Sequence, residues 1–175
     1  MSKPPVVIRK IKPAEVQQVS NLVKSVFMEF VAPHYERKGV DEFLGYIDTD
    51  RMASRLRSDH FILVAEKDGK LPGMMEIRNY KHISLLFVTR HSQRRGIARR
   101  LLDEAVAICM SEFDINEISV NSSPNAVEAY RKLGFKIDGQ EQLKDGIRYI
   151  PMKLRIGSDN NSEQLSPPLH FTQGR

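Results

Sequence analysis

The sequence has one cysteine, Cys109, and no apolar run long enough to cross a membrane. A single thiol excludes a disulfide within the chain and leaves metal sites without thiolate ligands, so we expect no metal. A membrane-spanning helix needs about 20 apolar residues, and no apolar signal-peptide core precedes Val6. We therefore expect a soluble protein of the reducing cytoplasm that does not associate with membranes.

The sequence also lacks a strong excess of one charge. Its 27 Lys and Arg against 22 Asp and Glu give a formal net charge of +5. The basic and aromatic pattern of RNA-binding motifs is absent, so we predict no nucleic-acid partner. The basic residues instead cluster around one segment, where they would attract a polyanion or simply form a solvated surface. They are Arg90, His91, Arg94, Arg95, Arg99 and Arg100.

Both common glycine-rich nucleotide motifs are missing, which disfavours NAD and ATP as ligands. The chain has instead an apolar strand, a short basic loop and a helix in succession. Residues 83–88 form a near-continuous apolar run, typical of a central strand covered on both faces. After Gly96, apolar residues recur at the three- and four-residue spacing of an amphipathic helix. They are Ile97, Leu101, Leu102, Ala105, Val106 and Cys109.

The start of this helix is a predicted anion site. The first backbone N–H groups of a helix have no intrahelical partner, and the helix dipole places partial positive charge there. Gly96 lacks the side chain that would keep a ligand away. We therefore predict that a phosphate binds at this loop. A plain strand-loop-helix connection is the alternative for this segment taken alone.

Two motifs resemble the GNAT acetyltransferases. Residues 93–98, Gln-Arg-Arg-Gly-Ile-Ala, resemble the family's motif A, Gln/Arg-x-x-Gly-x-Gly/Ala. Residues 123–135 resemble motif B, Asn-x-x-Ala-x-x-x-Tyr-x-x-x-Gly-Phe, and the two occur in the family's order and separation. The resemblance covers roughly residues 6–156, and two further strings, residues 82–88 and 146–152, resemble a bacterial branch of the family.

The fold expected from this resemblance is an α/β fold of mixed α and β elements around a mixed, mostly antiparallel sheet. Apolar periodicity and turn residues predict the element order βααβββαβαββ in one domain over residues 1–156. Asp68-Gly69 is a predicted hairpin turn, and Asp145-Gly146 are the predicted turn residues before the last strand. Residues 157–175 turn to Gly, Ser, Asn, Gln and Pro, so we predict a flexible C-terminal tail.

The resemblance implies transfer of an acetyl group from acetyl-CoA, the co-substrate, to an amine by direct attack. It places the pantetheine along Leu86, Phe87 and Val88 like an added strand, with the Val88 amide facing the thioester carbonyl. The pyrophosphate is expected on motif A, which comprises Gln93, Arg94, Arg95, Gly96, Ile97 and Ala98. Ser123 stands where motif B often has asparagine, so that coenzyme contact would come from its hydroxyl or from Asn125.

Two side chains are candidates for catalysis. Tyr130 matches the motif B tyrosine, which the resemblance implies protonates the coenzyme A sulfur; a core aromatic is the alternative. A lysine-like amine has a pKa of roughly 10.4, so a base must help to remove its proton. Glu76 is our candidate base, and an exposed strand glutamate is the alternative. His82 ranks next, and Ser84 could position a water.

The acceptor is predicted to be an amine of a small molecule or of a protein, and no motif identifies it further. A homodimer is also expected, because many relatives dimerise. A different hypothesis is a protein that binds acetyl-CoA without turnover and acts as a sensor or scaffold, since a fold alone does not prove catalysis. The presence of Tyr130 favours the enzyme.

Overall fold

The computed structural model describes residues 5–157, and the predicted tail beyond Gly157 lies outside this range. The strands are β1 (Val7–Lys10), β2 (His60–Lys67), β3 (Lys70–Arg78), β4 (His82–Val88), β5 (Glu117–Ser122), β6 (Lys136–Ile137), β7 (Gln142–Lys144) and β8 (Ile147–Arg155). The α-helices are α1 (Val16–Phe30), α2 (Arg37–Tyr46), α3 (Thr49–Leu56), α4 (Ile97–Phe113) and α5 (Val127–Lys132). None of these helices is long and apolar enough to span a membrane.

The strands form one sheet in the order β1-β2-β3-β4-β5-β8-β6, with β7 paired to β8. Only the pairing of β4 with β5 is parallel among the described strands. The mixed, mostly antiparallel sheet and the central place of β4 are therefore confirmed. One apolar core contains α4 and α5 on one face of the sheet, and a second contains α1 and α3 on the other.

The predicted element order is right in outline and wrong in two places. The short strand β7 was not predicted, and the second predicted helix is two helices, α2 and α3. Asp48 separates them because its carboxylate accepts hydrogen bonds from the backbone N–H groups of Asp50 and Arg51. Such an N-cap starts a new helix, and apolar periodicity alone does not reveal it.

Two predicted turns are confirmed, and both prove to be hairpins. Asp68 and Gly69 join β2 to β3, and Asp145 and Gly146 join β7 to β8, all with positive φ. The second turn touches α2 closely. A Cβ atom on Gly39 would lie 2.4 Å from the carbonyl oxygen of Gly146. Helix and turn therefore meet backbone to backbone, which only a residue without a side chain permits.

Replacing Gly39 with alanine is expected to lower the free energy of unfolding by about 1–3 kcal/mol, because the new methyl group overlaps backbone atoms that cannot rotate away. Urea denaturation measures this change. Gly45→Ala in the same helix is the matched control, since its Cβ would meet only the end of the Arg51 side chain at 3.2 Å. Equal stability of the two variants would contradict a tight contact between α2 and the turn.

Candidate active site

The site is built around the gap where β4 and β5 separate. These strands pair only through His82 with Ser119 and Ile83 with Val120. Directly after this point β4 shifts register against β3, where Glu76 pairs with Leu85 but Ile77 pairs with Ile83. Such a bulge bends a strand and increases its local twist. Beyond the bulge, β4 continues to Val88, and no described strand pairs with the edge of β4 that faces β5.

The free edge of β4 presents backbone groups to this gap. The Thr89 N–H donates to the Pro72 carbonyl oxygen at 2.8 Å, on the β3 side. Because hydrogen-bonding directions alternate along a strand, the backbone groups of Val88 and Leu86 face the opposite side. The Val88 carbonyl accepts a hydrogen bond from the Gln93 side chain at 3.1 Å. The Val88 N–H is thus directed at the position where a linear amide-bearing ligand could add like a strand.

The start of α4 lies beside the same strand end. A Cβ on Gly73 in β3 would be 3.0 Å from the Ile97 side chain, so the missing side chain lets α4 pack directly on the sheet. Gly96 precedes the helix with φ of 77°, and its carbonyl accepts the first helical hydrogen bond, from Arg100. The backbone N–H groups of Ile97, Ala98 and Arg99 therefore have no preceding helical carbonyl to which they can donate a hydrogen bond.

The loop before α4 has an unusual backbone. Arg94 and Gly96 both have positive φ, of 57° and 77°. A Cβ on Gly96 would meet nothing within 4 Å, so the space in front of the helix start is open to a ligand. Gly96 is therefore required for its backbone angle rather than for protein packing. Two residues of positive φ that flank one of ordinary φ turn successive backbone N–H groups toward one side, an arrangement suited to anions.

The five arginines of the predicted basic cluster divide into two groups. Arg90 pairs with Glu29 through a 2.7 Å contact, and Arg99 donates to backbone carbonyls of the segment 132–133. Arg94, Arg95 and Arg100 are exposed and form no ion pair within residues 5–157. These three supply the positive charge that can attract a polyanion to the open helix start.

Tyr130 lies on the same face of the sheet as the helix start. Its side chain belongs to the core cluster against which Leu86 and Val88 pack, and its ring meets Phe135 edge-on at 5.4 Å. Tyr130 is 9% exposed, and burial raises the pKa of its hydroxyl well above the ordinary value. The phenol is therefore protonated at physiological pH, as a proton donor must be. Its role stays a prediction.

The two motif B residues before α5 are free of side-chain hydrogen bonds within residues 5–157. Ser123 precedes a short 3-10 turn, and its carbonyl accepts from the Ala126 N–H at 3.0 Å and from the Ser122 hydroxyl at 2.8 Å. The Ser123 side chain makes no capping bond, and Asn125 is exposed. Either polar group is therefore available to a ligand.

Glu76 is held inside the protein. Its side chain is 0% exposed, so the alternative of an exposed strand glutamate is wrong. The carboxylate oxygens Oε1 and Oε2 accept hydrogen bonds from the Arg55 guanidinium, at 2.7 and 3.1 Å respectively. His60 Nδ1 lies 2.8 Å from Oε1. Arg55 also donates to the Tyr46 carbonyl and stacks on the Tyr46 ring at 3.8 Å. The role of Glu76 as base stays a prediction, but its oxygens are engaged.

Sequence reasoning missed Arg55 and His60. The available signal for Arg55 was its spacing, because it follows the core residue Met52 by three positions and therefore lies near it on α3. A basic residue next to a buried stripe needs a partner, and Glu76 supplies one from β3. No comparable sequence signal marks His60, the first residue of β2.

His82 stands at the point where β4 and β5 part. Its Nδ1 lies 2.8 Å from the Ser119 hydroxyl oxygen, and burial lowers the pKa of His82 to about 4. The imidazole is therefore neutral at physiological pH and can accept a proton. Nearby, the buried hydroxyls of Ser84 and Tyr46 lie close to each other, and neither makes a hydrogen bond of good geometry within the described residues. Both could bind a water, as was predicted for Ser84.

Known proteins match both the sequence and the fold. The family model described as "Acetyltransferase (GNAT) domain" matches residues 31–156. A GCN5-related N-acetyltransferase from Rhodopseudomonas palustris is 18% identical, with 89% of this chain and 99% of that chain covered and a TM-score of 0.75. PaiA N-acetyltransferase from Thermoplasma acidophilum, solved with coenzyme A, is 20% identical over 87% of this chain and 99% of that chain, with a TM-score of 0.72.

A third structure contains a polyamine. Spermidine N-acetyltransferase from Vibrio cholerae, solved with CoA and spermine, is 17% identical over 86% of this chain and 95% of that chain, with a TM-score of 0.58. These TM-scores establish a shared fold, while the family model covers most of the chain. The chain therefore belongs to the GNAT acetyltransferase family and is an N-acetyltransferase that uses acetyl-CoA as its co-substrate.

Proposed function

We propose that this protein acetylates a primary amine of a small molecule or a protein by direct attack on acetyl-CoA. The observation that supports the proposal is that the unpaired edge of β4 and the start of α4 meet at the C-terminal end of β4. The unpaired edge of β4 suits the pantetheine amides, and the open start of α4 suits the pyrophosphate. Coenzyme contacts with Leu86, Phe87, Val88 and the motif A loop, and with Ser123 or Asn125, are part of this proposal.

In the proposed reaction the amine nitrogen attacks the thioester carbonyl carbon, and the carbon–sulfur bond then breaks. The Val88 N–H is the donor to the carbonyl oxygen as it gains negative charge. The departing sulfur takes the hydroxyl proton of Tyr130, and the tyrosinate recovers a proton from solvent. The nitrogen loses one proton to a base, so the products are an N-acetylated amine and coenzyme A.

Two residues are candidates for that base. Glu76 is surrounded by the donors Arg55 and His60, which occupy its oxygens. His82 is partly exposed and neutral, and it lies beside the gap. A weakly basic imidazole can still take the proton, because the attacking nitrogen becomes much more acidic as it bonds to carbon. We therefore assign the proton transfer to His82 and a structural role to Glu76, and the turnover of an E76Q variant tests this assignment.

The acceptor belongs to the class of amines. Spermine occupies the related Vibrio cholerae enzyme, which supports amine acceptors for this fold. Phe43 of α2 packs against Phe87 of β4 at 5.9 Å, and α2 in turn touches the β7–β8 turn through Gly39, so these elements would select among amines. The expected homodimer stays a prediction.

Replacing Gly96 with valine is expected to weaken acetyl-CoA binding at least tenfold in isothermal titration. A β-branched residue at φ of 77° strains the loop, and its side chain fills the open space at the helix start. Gly69→Val is the matched control: Gly69 has φ of 70° and the same open surroundings, but it lies in the β2–β3 turn. Comparable losses in both variants would contradict a coenzyme site at α4.

Release of free thiol from acetyl-CoA in the presence of amines then tests turnover. Spermine, lysine and a lysine-containing peptide form a suitable acceptor panel. Wild-type protein that binds acetyl-CoA but releases no thiol with any amine would support the sensor or scaffold instead. Wild-type protein that does not bind acetyl-CoA would overturn both hypotheses.

A further inference from the structure

Arg99 connects the coenzyme-binding helix to the helix that carries Tyr130. It is the third residue of α4, within the turn that presents the anion site. Its guanidinium donates to the Lys132 carbonyl at 2.7 Å and to the Leu133 carbonyl at 3.2 Å. These carbonyls end α5, so one side chain bridges the beginning of one helix and the end of another.

The bridged helix cannot hold its position alone. α5 has six residues, far fewer than a helix needs to be stable in water without tertiary contacts. Its last carbonyls lack intrahelical partners and carry the negative end of the helix dipole, which a guanidinium satisfies well. The Tyr130 carbonyl itself accepts from the Leu133 and Phe135 N–H groups, both at 3.0 Å. Tyr130 therefore moves with the segment that Arg99 holds.

We propose that Arg99 is a positioning residue that sets the Tyr130 hydroxyl relative to the coenzyme sulfur. The inference rests on the proposed function, in which Tyr130 protonates that sulfur. Arg99 was expected to attract phosphate along with the other arginines of the cluster. The geometry gives its guanidinium another partner, because both hydrogen bonds that it donates within residues 5–157 go to the C-terminal end of α5. The turn that receives the pyrophosphate thereby also fixes the proton donor.

The test compares Arg99→Ala with Arg131→Ala by steady-state kinetics of free-thiol release, using the fastest acceptor of the amine panel. R99A is expected to lower kcat about tenfold while the KM for acetyl-CoA changes less than twofold. R99K, which can reach one carbonyl, is expected to recover part of the loss. R131A removes the same type of side chain from α5, where Arg131 pairs with Glu128, and should leave kcat within twofold of wild type.

A double-mutant cycle decides whether Arg99 acts through Tyr130. Adding R99A to Y130F is expected to change kcat less than twofold, because the hydroxyl to be positioned is already gone. An equal tenfold loss in both backgrounds would overturn the proposal. So would a raised KM for acetyl-CoA with unchanged kcat, since that result assigns Arg99 to phosphate binding.

Hydrogen exchange of the α5 amides supplies a readout that does not depend on turnover. R99A is expected to speed exchange at the end of α5, and R131A much less. An active wild type with unaltered R99A kinetics and exchange would overturn this inference alone. A wild type that releases no thiol would instead overturn the proposed function and, with it, the role of Arg99.

Discussion

Replacing Tyr130 with phenylalanine is expected to lower kcat about 10²–10⁴-fold, the range typical of general acid catalysis. A cysteine-like thiol has a pKa of about 8.5, so a thiolate leaves tolerably without a proton and the loss stays within that range. Burial raises the pKa of Tyr130, so the hydroxyl stays protonated but is a weaker acid than an exposed phenol. The phenylalanine ring retains the edge-on contact with Phe135, so the fold and acetyl-CoA binding should persist.

Steady-state kinetics and acetyl-CoA titration together check this prediction. The matched control is Tyr80→Phe, at the turn between β3 and β4, where the ring stacks on Phe113 at 3.5 Å. That variant should keep the wild-type kcat, because it removes a hydroxyl but leaves the gap between β4 and β5 unchanged. If Y130F turns over at the wild-type rate, the sulfur departs without this donor and Tyr130 is a packing residue.

Replacing Glu76 with alanine is expected to lower the free energy of unfolding by about 3–5 kcal/mol, as breaking a buried ion pair typically does. The Arg55 side chain is only 15% exposed and would keep its charge with no carboxylate beside it. His60, with a side chain 8% exposed, would lose the same partner. Chemical denaturation followed by circular dichroism measures the loss.

Glu66→Ala is the comparison variant for this stability measurement. Glu66 lies on the neighbouring strand β2 and pairs with Arg9 at 2.7 Å, but its side chain is 38% exposed. Exposed pairs contribute roughly 0–1 kcal/mol, so this change should be small. A loss no larger for E76A than for E66A would show that the buried cluster contributes little to stability.

The variant Glu76→Gln separates structure from chemistry. Glutamine keeps the shape and can still accept from Arg55 through its amide oxygen, but it cannot take a proton from an amine. If His82 is the base, the kcat of E76Q should lie within several-fold of the wild-type value, measured at a temperature at which the variant is folded. A loss of 10²-fold or more, with unfolding stability near that of wild type, would return the role of base to Glu76.

Much of the fold follows from patterns that are local in the chain. The apolar run of β4, the spacing of α4 and the Asp-Gly turns each depend on neighbouring residues, so they could be predicted in place. Motif A could be predicted for the same reason, because Gly96 and the first turn of α4 are adjacent in the sequence and the N–H groups that bind an anion belong to the backbone. The break at Asp48 and the short strand β7 escaped prediction, since each depends on a few hydrogen bonds that periodicity does not record.

The partners of the charged side chains required the folded structure. Glu76 meets Arg55 across 21 positions, and Arg99 reaches the end of α5 across 33 and 34 positions. A charged residue has many possible partners at such separations in the sequence. The packing of α3 on one face of the sheet and of α5 on the other decides which partner Glu76 and Arg99 each meet. The local sequence thus specifies the coenzyme-binding backbone, while the environment of Glu76, His82 and Tyr130 arises from burial and long-range contacts, which depend on how distant segments pack.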